Sequence, residues 1–291
     1  MSAAYSTIHW DIDILARSSI VHREDYTSGG TDNFALFRRE KILNPDGVMV
    51  QVPIVSGSSF RGVLRRIGEE LTAAALDYED AALPVPAAHL LRNGGRLAKS
   101  ASPFTDEDER HLKALVPQIA VFGGAASGRI MSGLLAVGKV LPEVAELAHI
   151  LPRPTRSDAL PAVRTLAEES FTHLSDHRAA TDNAPGPDVA ESTSPLGRFG
   201  VETLPAGTRL QTWVRLANAT DHQVAFLQSV LTAFISRGHL GGRIAAGHGA
   251  VDASFSNIDV ERGELPEDTV DWRAELKERR AEAIAALLKI T

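Results

Sequence analysis

Residues 53–71 restrict the fold more than any other part of this chain. Ahead of them, Asn44-Pro45-Asp46-Gly47 is a strong turn signal, and Val48, Val50 and Val52 alternate with Met49 and Gln51 as a short strand. Ser56-Gly57-Ser58-Ser59-Phe60-Arg61-Gly62 then opens a helix, with Ser58 or Ser59 as its cap. Phe60, Val63, Leu64, Ile67 and Leu71 recur at helical spacing and define one buried face. Arg61 and Arg65 stand four apart on another face, with Arg66 beside them. A strand, a serine–glycine turn and an amphipathic helix thus follow one another without a gap. The turn end of such a helix offers unpaired backbone N–H groups, and anions bind there.

The flanking sequence supplies matching elements. Ile8, Trp10, Ile12 and Ile14 alternate with His9, Asp11 and Asp13, the period of a half-buried strand. Phe34 to Leu43 carries Arg38, Arg39 and Lys41. Residues 77–117 read as irregular, and Ile119 to Phe122 as a short apolar run ending in Gly123-Gly124. Residues 129–140 suit a strand, residues 151–158 a linker, and residues 176–195, with three prolines, a mobile loop or hairpin. Strand character resumes over 201–214 through the turn Pro205-Ala206-Gly207. Asp221 can cap a helix bearing Val224, Leu227, Val230, Leu231, Phe234 and Ile235, which Gly238 ends. Gly238-His239-Leu240-Gly241-Gly242-Arg243 and Gly247-His248-Gly249 form a glycine-rich loop before a closing strand over 251–255. An amphipathic helix is expected over 272–288, with Leu276, Ile284, Leu287 and Leu288 as its stripe. No internal repeat is visible. Two β–α–β passages result, which is the pattern of an α+β fold of the ferredoxin-like or RNA-recognition type carrying long insertions.

Composition removes whole classes of function. With no Cys among 291 residues there are no disulfides, thiolate metal sites or cysteine nucleophiles. No apolar run approaches 18 residues and no export signal is evident, so a cytoplasmic protein without a membrane partner is expected. The formal charge of −7 weighs against a polyanion ligand. Its distribution is uneven, however. Residues 15–66 carry eight Lys/Arg against five Asp/Glu, and residues 258–282 carry five against nine, so a basic face on an acidic body is open to this chain.

Several motifs compete for chemistry. The glycine loop can bring bare backbone close to an oxyanion, and Arg243 and His248 within it strengthen that reading. It is no P-loop and no dinucleotide fingerprint, because it leads into a strand. A tight helix-to-strand connection is the alternative. His173 and His177 have metal-ligand spacing but no further ligands nearby, so no metal and no other cofactor is expected. Asp25 and Asp32 flank Gly29-Gly30; either can cap the turn, or serve as base or metal ligand in RNA cleavage. Ser56-Gly57-Ser58 lacks an identifiable acid and base for nucleophilic catalysis.

Four segments together resemble the repeat-associated (RAMP) superfamily. Pro53-Ile54-Val55-Ser56-Gly57-Ser58-Ser59-Phe60-Arg61-Gly62-Val63-Leu64-Arg65 is similar to the segment opening the first helix of these proteins. Val121-Phe122-Gly123-Gly124 resembles their apolar-Phe-Gly element, and Glu202-Thr203-Leu204-Pro205-Ala206-Gly207-Thr208 their strand entry. Gly241-Gly242-Arg243 through Gly247-His248-Gly249-Ala250-Val251 resembles their glycine-rich loop. Within the superfamily the likeness is to the repeated backbone subunit of class 1 CRISPR effector complexes, with type IV favoured over type III and type I-D.

The resemblance implies a ferredoxin-like palm over 1–76 and 118–256, a thumb-like insertion over 153–200 and a finger-like insertion over 77–117; the acidic amphipathic helix expected within 257–291 lies beyond it. It implies binding of guide RNA (crRNA) without catalysis, with Ser58, Ser59, Arg61, Arg65, Gly241, Gly242 and Arg243 on guide phosphates and Arg38, Arg39, Lys41 and His248 as further candidates. Its implied partners are the crRNA, a target nucleic acid, other copies of the chain and other effector subunits. In type III relatives an Asp after the Gly-Gly turn cleaves target RNA, and Asp32 stands at the matching place. The stretch from Asp32 to Pro53 is longer than that pattern, so cleavage is not expected. The alternatives are a same-fold endoribonuclease using Asp32, and a protein-interaction scaffold docking through its acidic C-terminal helix.

Overall fold

Successive side chains of a strand point to opposite faces, so the alternation at Ile8, Trp10, Ile12 and Ile14 puts four apolar side chains on one face of β1 (Ser6–Ala16), and all four are buried. The computed structural model describes residues 5–24, 34–77, 83–97, 99–100, 103–155, 159–174, 196–267 and 269–290. In it β1 runs antiparallel between β11 (Arg209–Ala219) and β12 (Val251–Arg262), with Ile12 opposite Thr212 on one side and Ile14 opposite Ala253 on the other. The strands β7 (Leu135–Val137) and β8 (Leu141–Pro142) add to the far side of β11. The sheet order is β12-β1-β11-β7.

Two helices, α1 (Gly57–Leu76) and α5 (Asp221–Arg237), cover the apolar face, where the rings of Phe60 and Phe234 meet edge-on at 5.4 Å. Reduced to β1, α1, β7, β11, α5 and β12, the chain is a βαββαβ unit. The fold class is α+β, as the two β–α–β passages indicated.

The cap of α1 differs in detail from expectation. It is Ser56, whose hydroxyl accepts from the Ser59 amide, so Ser58 and Ser59 already lie within the first turn. Likewise Thr220 caps α5, in a reciprocal box with Gln223. The described part of residues 77–117 is more regular than expected. It contains α2 (Val85–Asn93) and α3 (Asp106–Leu115), and Thr105 and Asp108 cap the latter reciprocally. Its apolar residues are sparse because only Ala87, Leu90, Leu91, Leu112 and Leu115 turn inward. The apolar run before Gly123 is a short helix, α4 (Pro117–Phe122), wholly buried. The hairpin β5 (Gly124–Ala126) and β6 (Arg129–Met131) follows it.

Three further pieces complete the molecule. The hairpin β3 (Arg39–Leu43) and β4 (Met49–Pro53) turns at Asn44–Gly47 and carries the exposed Leu43, Val48 and Met49 at its tip. The pair β9 (Ala167–Leu174) and β10 (Leu196–Thr203) is antiparallel, with the short β2 (Phe34–Ala35) alongside β10. The expected C-terminal helix is two, α6 (Trp272–Glu278) and α7 (Arg280–Leu288), and their apolar side chains Trp272, Leu276, Ala283 and Leu287 are buried against the body. Of the expected stripe, Leu276 and Leu287 are buried, whereas Leu288 is 50% exposed. Among the described residues no helix is long and apolar enough to cross a membrane.

Candidate nucleic-acid interface

The open face of the main sheet is an unsuitable platform for a polyanion. Asp11 and Asp13 both project there, and Arg153 closes over them at 2.8 and 2.7 Å while also donating to the Ile12 carbonyl. Asp259 stands opposite His9 in register, and Glu261 pairs with Arg215 at 2.6 Å. The rings of Trp213 and His9 stack on this face at 5.5 Å. Carboxylates dominate it, and they repel phosphate.

A different region collects the expected residues. Residues 18–24 leave β1 as an extended segment bonded on several sides at once. The amide of Gly249 donates to the Ser19 carbonyl and that of Gly242 to the Val21 carbonyl, both at 2.8 Å. Ile20 and Leu204 exchange backbone hydrogen bonds. The amide of Arg38 donates to the His22 carbonyl at 2.8 Å, and the amide of Ser56 donates to His22 Nε2 at 3.2 Å. One segment therefore holds the glycine loop and the start of α1 together.

The glycines of the loop are required by its close approach. Gly241 has φ +78°, and a Cβ there would lie 2.3 Å from the Val21 carbonyl oxygen. Gly249 has φ +82° and is equally tight against the Leu240 carbonyl. Beyond them Gly242, Arg243 and residues 244–247 are exposed. Arg243 itself has φ 58°, a left-handed conformation that a side chain with a Cβ adopts at a cost. Its guanidinium lies 3.6 Å over the Phe171 ring and makes no ion pair among the described residues. His248, at the other end of the loop, bonds Ser19 Oγ at 2.9 Å and faces Glu169 at 4.0 Å.

At α1, the hydroxyl of Ser56 also meets that of Ser58 at 3.1 Å, and Ser58 is exposed. The first turn holds no acidic residue, so the positive end of the helix is uncompensated. Ser58 stands exposed at this end of the helix, while the Ser59 amide is taken up by Ser56 Oγ.

Arg61 and Arg65 reach inward to backbone carbonyls. Arg65 is 7% exposed and donates to the carbonyls of Leu90, Gly123 and Phe122 at 3.1, 3.0 and 2.7 Å. Arg61 donates to Phe122 at 2.8 Å and to Leu135. Both lie over the Phe122 ring and satisfy carbonyls that α4 leaves unpaired at its C-terminus. Burial, and then the charge of Arg61, push the Arg65 guanidinium down to about 10, still charged at neutral pH. Two donors of Arg61 and three of Arg65 are thus committed to backbone carbonyls, which gives both side chains an internal, structural place.

Arg39 is also engaged, with Glu202 at 2.8 Å. Lys41 is exposed on β3. Arg38 joins residues 18–24 through its backbone. Arg23, not singled out from the sequence, is exposed on that segment itself and makes no ion pair among the described residues. No motif marks Arg23, since its place follows from the long-range pairing of Arg23 with Phe37. Asp25, Asp32 and His177 lie outside the described residues, and His173 is placed only as part of the β9 backbone.

A βαββαβ unit with a glycine loop and a serine-capped helix fastened to one extended segment defines an RNA-recognition-like class of domain. The model of the RAMP superfamily matches residues 27–252, and the chain belongs to that superfamily. Among solved structures, it is similar to a chain of a "Type IV-B CRISPR Complex", with 54% identity, a TM-score of 0.62, and coverage of 91% of this chain and 96% of that one. A second, "Crystal structure of Thermofilum pendens Csc2", matches at 12% identity and a TM-score of 0.44 over 97% of this chain and 80% of that one. No curated protein matches.

Proposed function

We propose that this chain is a non-catalytic backbone subunit of a type IV-like CRISPR effector complex, which binds guide RNA and oligomerises helically along it to present the guide for target pairing. One observation carries the reading. The uncompensated start of α1 and the exposed glycine loop are both bonded to residues 18–24; Arg23 on that segment and Arg243 in the loop are exposed cations, as is Lys41 on β3. Backbone amides and flexible cations recognise phosphate and 2′-hydroxyl groups without reading bases, which leaves base edges free to pair. The identity to a chain of a type IV-B complex supports the assembly. In this reading residues 1–76 and 118–256 form the palm, β9 and β10 belong to the thumb-like insertion over 153–200, and α2 and α3 to the finger-like insertion over 77–117.

Repetition along one strand links the contacts of successive copies, so affinity should rise steeply with strand length. Titration of the purified protein with single-stranded RNA over a salt series tests this. The expected result is a log–log slope of several units, reduced by about 2–3 when Arg23, Lys41 and Arg243 are all replaced by Ala. An affinity indifferent to salt and to that triple replacement would overturn the reading. Electron microscopy of protein co-expressed with guide should show helical particles. Target RNA paired to that guide should stay intact, with wild type and Asp32→Ala alike. Cleavage lost in Asp32→Ala would favour the endoribonuclease instead.

A further inference from the structure

Phe171 and Phe199 are cross-strand partners on β9 and β10, and their rings stack at 5.7 Å with 18° between planes. The Arg243 guanidinium carbon lies 3.6 Å from the centre of the Phe171 ring. We propose that Phe199, Phe171 and Arg243 form a stacking ladder that receives one unstacked nucleobase of the bound strand, on the guanidinium face turned away from Phe171. The inference rests on the RNA-binding reading above and adds to it a base-contacting site.

Three features argue for a ligand beyond simple packing. First, stacking uses only the flat face of a guanidinium. Its in-plane N–H donors stay available, and no carboxylate among the described residues takes them. A base can lie on the open face while the adjoining phosphate accepts from the edge. Second, the two rings are only half-buried, whereas the large aromatic side chains of the core, Phe37, Phe60, Phe226 and Phe234, are fully buried. Third, Arg243 holds this position with a left-handed backbone, at the tip of a loop whose neighbours are pinned to residues 18–24. Its placement is thus imposed by the loop, which is the loop that would hold phosphate.

The hairpin is held against the loop at a second point. Glu169, two residues before Phe171, faces His248 and accepts from the Thr203 hydroxyl at 3.1 Å. Such a ladder tolerates any base, because every base offers a π-face. It suits a strand whose sequence varies from guide to guide.

The test compares two ligands on the wild-type protein at about 0.15 M salt, near physiological screening. One is oligoadenylate; the other is an abasic ribose-phosphate strand of the same length. The abasic strand should bind about five- to a hundredfold more weakly, with the same salt slope, since its phosphates are unchanged. In Arg243→Lys, which keeps the charge but loses the plane, the difference between the two strands should collapse. Phe171→Leu should do the same. Equal affinity for both strands in the wild type, or a base dependence that survives Arg243→Lys, would overturn the ladder while leaving RNA binding in place. Failure of the wild type to bind either strand would overturn the RNA-binding reading and the ladder with it.

Discussion

The amide of Ser56 donates to Nε2 of His22, and the carbonyl of Val21, one residue earlier, accepts from the amide of Gly242. Adjacent residues of one extended segment therefore fix two junctions that lie far apart in sequence. The His22 ring is itself held edge-on against Phe37, at 6.2 Å and 76°.

His22→Phe keeps an aromatic ring against Phe37 but removes the acceptor for the Ser56 amide. Leaving that donor unpaired should cost about 1–3 kcal/mol. The expected outcome in a urea titration is a lower midpoint with an unchanged slope. The RNA salt slope should stay close to that of wild type, since no cation is lost. An unchanged midpoint would mean that the Ser56–His22 bond does not hold the junction.

Arg65 and Arg243 should separate stability from binding. Arg65→Met strands the carbonyls of Leu90 and Gly123 in the interior, while Phe122 keeps its bond from Arg61, with an expected loss of about 2–3 kcal/mol. Its folded fraction should still show the wild-type salt slope. Arg243→Ala should do the reverse, leaving the thermal midpoint within a degree or two while RNA affinity falls, because the side chain is exposed and lies on the surface of Phe171. A weakened salt slope in Arg65→Met would restore Arg65 to the phosphate site.

The main sheet and its helices were legible in the sequence wherever one period dominated. The alternation around Trp10 and the helical spacing from Phe60 to Leu71 each arise from a single buried face, and both elements stand where expected. The inward turn of Arg61 and Arg65 was not legible because spacing reveals a shared face without saying whether solvent lies beyond it. Gly68 and Thr72 continue the Arg61–Arg65 stripe and are both buried. Small residues on a helix stripe allow close packing, and that was the available sign of an inward face. The ladder had no local sign at all. Phe171 and Phe199 meet through strand pairing across residues 175–195, and Arg243 joins them from a loop distant in sequence. In residues 77–117 the helices were obscured because α3 opens with Asp106, Glu107, Asp108 and Glu109, which cap and charge its first turn but give no apolar period.

Trp272 tests whether the C-terminal helices are part of the body. Its ring packs edge-on against Phe226 at 4.9 Å and its Nε1–H donates to Ser229 Oγ at 3.0 Å. Trp272→Ala should cost about 3–5 kcal/mol, visible as a large drop in thermal midpoint. A scaffold helix held only loosely would lose almost nothing.

The docking of α3 should be sensitive to acid. Burial opposes ionisation of Glu109, but hydrogen bonds from Lys113, at 2.6 Å, and from Arg129 outweigh it and hold the carboxyl below its usual range. A carboxyl depressed in the folded state binds fewer protons there than in the unfolded chain. Its contribution is complete above the ordinary Glu value, about 4.3, and is lost as pH falls through the lower folded value. Glu109→Gln removes that dependence. The stability difference between wild type and variant should therefore be constant from neutral pH down to about 5, then shrink as the solution becomes more acidic. Denaturant midpoints of both proteins across that range measure it. A difference that grew on acidification would mean that burial, and not the two cations, governs this carboxyl.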